Sequence, residues 1–412
     1  MREFSVALLL TSGVLKALLM VLIPWFPDVT LISIVLLLLC MVVQKDRYAD
    51  LSLTFISFLG VGFFAFFAAT VLISATYSPS DVYLNKVIKF AVVLFTFLVV
   101  LPLGKIELEK VCKSFVVLSL IAALMFIYVF PKFRLGLLGE EGEILKAAYL
   151  SLGDACAVAV IMLLSILKPR LFVSLILTLL FIFTLVLSGA RAPLLFLALL
   201  LFALLFIKCI KFLSESRNFS VSTVFTLTLA VTVITFLLTF KVDWSQIHNS
   251  DIFRAIEISF ERLQLLFQSD KGSSVNVRIQ HIETAVRLID HNPIWGVGLG
   301  AFGVEGYGVD AFIYPHNMFL EVWVENGLLS LVSLIFIIVL VYLKLAYEEF
   351  NFGVVLILTY CLLNSMKSSS YVDNRVLFFW LAFTLFNMCS PKPSKVDYYG
   401  EENTNNKIGT SS

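Results

Sequence analysis

Apolar runs separated by short polar gaps recur along almost the whole chain. Twelve of them, at residues 4–24, 28–43, 51–74, 86–103, 111–130, 147–166, 171–188, 191–212, 219–240, 317–343, 352–367 and 374–390, approach or exceed the length of a membrane-crossing helix. Such a helix needs roughly 17–25 residues to cross about 30 Å of hydrocarbon. Repeated runs with short connectors exclude a soluble enzyme on a single anchor. The pattern predicts an all-α polytopic membrane protein of about 12 transmembrane helices, nine in residues 1–240 and three in 317–390. Between these groups lies one large polar loop, residues 241–316, whose helical periodicity and aromatic residues predict partial helical order. The first run lacks a small-x-small cleavage site before Pro24, so it reads as a first helix and not a signal peptide. Residues 391–412 are polar and read as a disordered cytoplasmic tail.

Composition agrees with this picture. Hydrophobic residues make up 60% of the 412 and charged residues 14%, whereas soluble domains sit near half and a quarter. Membrane lipids are therefore a partner, and nothing points to nucleic acid. The net charge of +1 says little, because the bilayer has already sorted the charges. Their placement says more. With the N-terminus inside, the inner loops hold Lys45, Arg47, Lys105, Lys110, Lys168, Arg170, Lys208, Lys211, Arg217 and Lys344, and the outer loops 25–28 and 75–85 hold no Lys or Arg. The outer loop 131–146 carries Lys132, Arg134 and Lys146, offset by Glu140, Glu141 and Glu143. By the positive-inside rule the long loop faces outward, which in the inner membrane of a bacterium is the periplasm. The six cysteines fall inside apolar runs or at their inner ends, so neither a disulfide framework nor a thiolate metal cluster is implied.

Candidate chemistry gathers in and beside the long loop, which holds all four histidines of the chain. On a helix over 277–290, Arg278 and His281 share a stripe with Ile282, Ala285 and Ile289, and Arg287 lies opposite among Gln280, Glu283 and Asp290. A guanidinium on an apolar stripe either snorkels or meets an anion, and Arg287 has a solvated explanation. The glycines at 296, 298 and 300 suit either amides turned to a ligand or a tight turn, and spacing alone favours the turn. His316 and Asn317 stand at the start of the tenth span, where an imidazole could take a proton from a hydroxyl or the pair could cap the helix. Glu321 and Glu325 continue that face inside the span, where carboxylates point to a polar cavity or a basic partner. Arg191 opens the eighth span after Ser188-Gly189-Ala190, on the side the positive-inside bias disfavours, and helix N-termini attract anions. Lys16 and Asp154 lie within spans as further buried charges.

The ordered set SGARAP, VRIQHIETAVRLIDHNPIWGVGLGAFG and HNMFLEVWVENGLLSLV resembles the O-antigen ligase / O-antigen polymerase superfamily over about residues 180–335. That resemblance implies a membrane glycosyltransferase acting at the periplasmic face, with inversion and without nucleotide sugar, cofactor or metal. Its donor would be an undecaprenyl-diphosphate-linked glycan. Its acceptor would be a lipid-linked repeat unit for a polymerase or lipid A-core for a ligase, and a chain-length regulator protein would be a partner of the former. By the same resemblance Arg191 and Arg278 hold the diphosphate and His316 activates the acceptor hydroxyl. Asn317, Glu321, Glu325, His281 and Arg287 are supporting candidates. His281 stands where the family often has tryptophan. The polymerase reading is set slightly ahead of the ligase, and a lipid-linked glycan transporter or flippase is the competing class.

Overall fold

The computed structural model describes residues 1–23, 25–43, 54–104, 106–138, 140–215, 273–347, 351–367 and 369–386. The expected ninth span at 219–240, the first part of the long loop with His248, and the tail at 391–412 lie outside the described residues. Among the described residues all regular structure is helical. In chain order the helices are α1 (Arg2–Leu22), α2 (Val29–Val43), α3 (Phe55–Thr76), α4 (Val82–Leu98), α5 (Val100–Leu103), α6 (Leu108–Arg134), α7 (Glu140–Met162), α8 (Leu171–Ser188) and α9 (Arg191–Glu215). After the undescribed stretch follow α10 (Ser273–His291), α11 (Phe302–Tyr307), α12 (Met318–Tyr347), α13 (Phe352–Ser365) and α14 (Arg375–Phe386).

Among the described residues, seven helical stretches are long and apolar enough to cross a membrane: those beginning at Arg2, Phe55, Val82, Leu108, Tyr149, Leu171 and Met318. Four shorter apolar helices, at Val29–Val43, Arg191–Leu204, Phe352–Ser365 and Arg375–Phe386, coincide with the other expected spans in the described residues. Several helices extend beyond the apolar runs. The fourth begins at Val82 and not at 86, which places Lys86 a turn inside it. The expected outer loop 131–146 shortens to 135–139, because α6 runs to Arg134 and α7 starts at Glu140.

The outward faces of these helices are apolar: Leu38, Phe58, Leu124, Phe172, Phe183 and Phe202 are all exposed, as a belt facing acyl chains requires. Within lipid, burial of apolar surface does not by itself drive helices together, so close packing and polar clasps must hold the bundle. Both are present. Phe64 stacks on Phe97 with ring centroids 3.6 Å apart, and Phe67 packs against Phe90, Phe378 and Tyr371. A Cβ on Gly60 would come within 2.7 Å of Leu385, so that glycine lets α3 and α14 approach. Near the far end of α12, Lys344 donates to the Leu385 carbonyl at 2.6 Å and to Ser57 Oγ at 3.3 Å.

Candidate active site

The site is built around a break in α12. Gly327 sits at φ 83°, ψ 177°, a conformation that interrupts the helical ladder and that side chains rarely tolerate. The Leu328 amide therefore donates to the Pro293 and Ile294 carbonyls, both at 3.1 Å, in place of the Val324 carbonyl. The freed carbonyls are satisfied in exchange: Val297 N–H reaches Val324 O at 2.8 Å and Gly298 N–H reaches Glu325 O at 3.0 Å. Leu299 N–H donates to Ser74 O at 3.2 Å. Gly296, Gly298 and Gly300 all have positive φ, and a Cβ on Gly296 or Gly298 would lie 2.7 Å from the backbone of Glu325 or Ser78. The glycine set is thus a turn sewn to α12 and α3 through its Val297, Gly298 and Leu299 amides, with the Gly296 amide spent on the Asn292 carbonyl at 3.1 Å. Asp310, accepting from Ser80 Oγ at 2.5 Å and Asp81 N–H at 3.0 Å, ties the next stretch to the α3–α4 connection.

On this platform lies α10, held by a small core of Ala285, Leu288, Ile289, Val297, Phe302 and Val324. Its buried stripe runs through Thr284, Ala285, Leu288 and Ile289, and Ile282, expected on that stripe, is 41% exposed. His281 and Arg278 continue the stripe, half-buried, toward His316. The His281 and His316 rings stack with centroids 5.6 Å apart and planes 3° from parallel. The Tyr314 ring is tilted 53° against that of His316, with centroids 4.5 Å apart. His281 Nδ1 donates to the Tyr314 carbonyl at 3.2 Å; a carbonyl only accepts, so that nitrogen carries the proton.

His316 itself is in the left-handed region, φ 57°, and its buried Nδ1 has no hydrogen-bond partner among the described residues. Burial, then Arg278, then His281 depress its basicity from 6.5 to about 4. His281 is lowered as well, by burial, with the Tyr314 carbonyl opposing. Near neutrality both imidazoles are uncharged. His316 therefore offers a lone pair in a site whose positive charge lies elsewhere.

That charge comes from three elements. Arg191 opens α9 just after Gly189, which closes α8 in the left-handed conformation. Gly153 lets α7 approach this corner, since a Cβ there would meet Ala190 at 2.8 Å. Arg278 comes from α10, and among the described residues no carboxylate pairs with it. Lys367, in the α13–α14 connection, reaches over the Phe196 ring of α9 at 5.8 Å from its centroid. Its ammonium is depressed by burial and by the fields of Arg278 and Arg191. Arg191, Arg278 and His316, distant in sequence, thus belong to one neighbourhood, and Lys367 joins them although sequence reasoning missed it.

The supporting candidates divide. Asn317 caps α12: its Oδ1 accepts from Phe319 N–H at 3.0 Å and Leu320 N–H at 3.2 Å, and its Nδ2 donates to Met366 O at 3.1 Å. It positions His316 through the backbone. Glu321 and Glu325 turn to a basic partner, being fully buried and bonded to a fully buried Lys86 at 2.6 and 2.7 Å. Ser370 Oγ donates to Glu321 at 2.7 Å, so this cluster also fixes the α13–α14 connection. Arg287 stays on the exposed side, 3.4 Å from the Gly306 carbonyl, as its face predicts. Lys16 pairs with Asp28.

Residues 176–335 match the family described as O-antigen ligase. This match supports the resemblance of that segment to the O-antigen ligase / polymerase superfamily. No curated protein matches it. The O-antigen ligase segment runs from α8 into α12 and includes Arg191, Arg278, His281 and His316; Lys86, Asp154 and Lys367 lie outside it. The many apolar helices, together with the match over residues 176–335, indicate a multi-pass membrane protein.

Proposed function

We propose that the chain transfers a glycan from undecaprenyl diphosphate to a sugar hydroxyl at the periplasmic face of the inner membrane. The acceptor is a second lipid-linked repeat unit, so the reaction polymerises a surface polysaccharide such as O-antigen. The observation that carries this reading is the convergence of Arg191, Arg278 and Lys367 beside a neutral His316 with an unpartnered Nδ1. In the reaction the acceptor oxygen attacks the anomeric carbon and the bond from that carbon to the diphosphate oxygen breaks. Negative charge grows on the leaving diphosphate, where fixed guanidiniums and an ammonium stabilise it through charge-assisted hydrogen bonds. The acceptor proton passes to His316 and from there to water. Attack opposite the leaving group inverts the anomeric centre. Binding of the diphosphate offsets the Arg278 field, so the donor itself makes His316 a better base.

A ligase transferring the finished glycan to lipid A-core uses the same groups, and the description of the matching family favours it as the second reading. Complementation of a gene deletion separates the readings, with surface polysaccharide resolved on a gel. Wild type restores a ladder, and Arg191→Ala, Arg278→Ala and His316→Ala do not. Variants that leave one repeat attached to the core mark a polymerase; bare core with accumulated lipid-linked polymer marks a ligase. Full laddering by all three variants would contradict glycosyl transfer at this site and favour a transporter.

A further inference from the structure

A second polar feature lies beyond the Tyr314 wall of the site. A cavity of about 530 Å³, within the ~300–1,000 Å³ range of small-molecule sites, opens between α1, α7, α13 and the 369–376 stretch. Its floor contains Asp154, on an otherwise apolar part of α7, the kind of intramembrane charge that marks a substrate path. Tyr360 Oη donates to Asp154 Oδ1 and Asn364 Nδ2 to Oδ2, each at 2.8 Å. A carboxylate offers about four acceptor sites, so each oxygen keeps capacity for a further donor. Facing the same space is Arg375, whose Nη1 donates to Ser12 Oγ at 2.6 Å. Its Nη2 lies where a Cβ on Gly13 would be 3.1 Å away, so the absence of a side chain on α1 leaves that donor room.

The cavity differs in kind from the cationic cluster. The lysines at its rim are already matched, Lys16 with Asp28 and Lys89 with Asp373, the latter at 3.0 Å. It therefore does not concentrate positive charge as a diphosphate would require, and an acyl chain would leave Asp154, Asn364 and Arg375 facing a group that cannot hydrogen-bond them. What it presents is a set of fixed acceptors and donors beside aromatic rings, the complement of a polyhydroxylated ligand. Tyr314 lines the cavity and also touches the His316 ring.

We infer that this cavity is a saccharide subsite holding the acceptor sugar, with Asp154 accepting from its hydroxyls and Arg375 donating to its oxygens. Tyr314 sets the boundary across which the reacting hydroxyl reaches His316. This assignment to the acceptor rests on the glycosyl-transfer reading above.

The test uses full-length protein in nanodiscs and two probes: the host's repeat-unit oligosaccharide freed from lipid by mild acid, and the same unit still on undecaprenyl diphosphate. Saturation-transfer NMR should show the free oligosaccharide binding to wild type. Asp154→Asn should weaken it at least about tenfold, the effect of losing a hydrogen bond to a charged group. Ser151→Phe, which fills the cavity from an exposed position on α7, should do the same while the thermal melt stays unchanged. Arg278→Ala should bind the free oligosaccharide as wild type does and lose the lipid-linked donor. Unchanged oligosaccharide binding by both Asp154→Asn and Ser151→Phe would overturn the subsite. If instead Arg278→Ala and His316→Ala still transfer glycan while Asp154→Asn loses oligosaccharide binding, the saccharide subsite stands and the diphosphate site is wrong.

Discussion

His316 concentrates the chemistry at the scale of single residues. Its imidazole is depressed to about 4, so the neutral form persists as the pH falls well below the ordinary 6.5. A reaction needing neutral His316 should keep nearly full kcat/KM at about pH 5.5, where an unshifted histidine would be about tenfold down. The acid limb of kcat should sit higher than that of kcat/KM, because bound diphosphate counters Arg278. Both limbs at 6.5 would contradict the arrangement. Lys367→Gln should raise the KM for lipid-linked donor by about tenfold, the worth of one charge-assisted contact. An unchanged donor KM would remove Lys367 from the anion site. Arg191, Arg278 and His316 stand out in the sequence as candidates by position: against the positive-inside bias, on an apolar stripe, and at a span's lip. Lys367 follows the rule that exposes Arg191, a basic residue on the expected outer side, but it merges into the end of an apolar run. The neutral state of His316 was not legible, since it depends on a stacked ring and a guanidinium brought in from α10.

At the scale of elements, the break in α12 and the glycine turn form one unit. A Cβ on Gly327 would lie 2.0 Å from Ile294 O, and one on Gly298 2.7 Å from Ser78 Cα, with both glycines at positive φ. Gly327→Ala and Gly298→Ala should each cost more than about 2 kcal/mol through strain and overpacking. Gly62→Ala, in α3 with nothing within 4 Å of the added methyl, should change stability by no more than about 1 kcal/mol and toward the stable side. Thermal melts in detergent that rank the three alike would contradict the account. The sequence pattern favoured a turn over a ligand-facing loop at these glycines. It could not show that the turn's amides would replace a missing rung in a transmembrane helix. Lys86 teaches the same lesson. It reads as the edge of an apolar run, yet it is the sole base of a buried cluster with Glu321 and Glu325 among the described residues. Lys86→Met should destabilise by about 3–5 kcal/mol by stranding those carboxylates. Adding Glu321→Gln and Glu325→Gln should recover part of that loss in the melting temperature; no recovery would mean that the lysine acts by packing alone.

Across the whole molecule, helical class and multi-pass character were legible because bilayer thickness imposes a length on every apolar run. Helix ends were less so: α4, α6 and α7 continue through polar residues that hydropathy treats as loop. Which ends meet was illegible, because the joining of α9, α10 and the α13–α14 connection depends on packing between elements far apart in the chain. That joining is the core of the account, and reconstitution tests it most directly. Purified protein in proteoliposomes, supplied with lipid-linked repeat units alone, should release undecaprenyl diphosphate and lengthen the glycan by whole repeats, read by mass spectrometry. Arg191→Ala, Arg278→Ala and His316→Ala should each abolish both products while remaining folded. Release and chain growth at wild-type rates in any of the three would contradict the claim that these side chains work together on one lipid diphosphate.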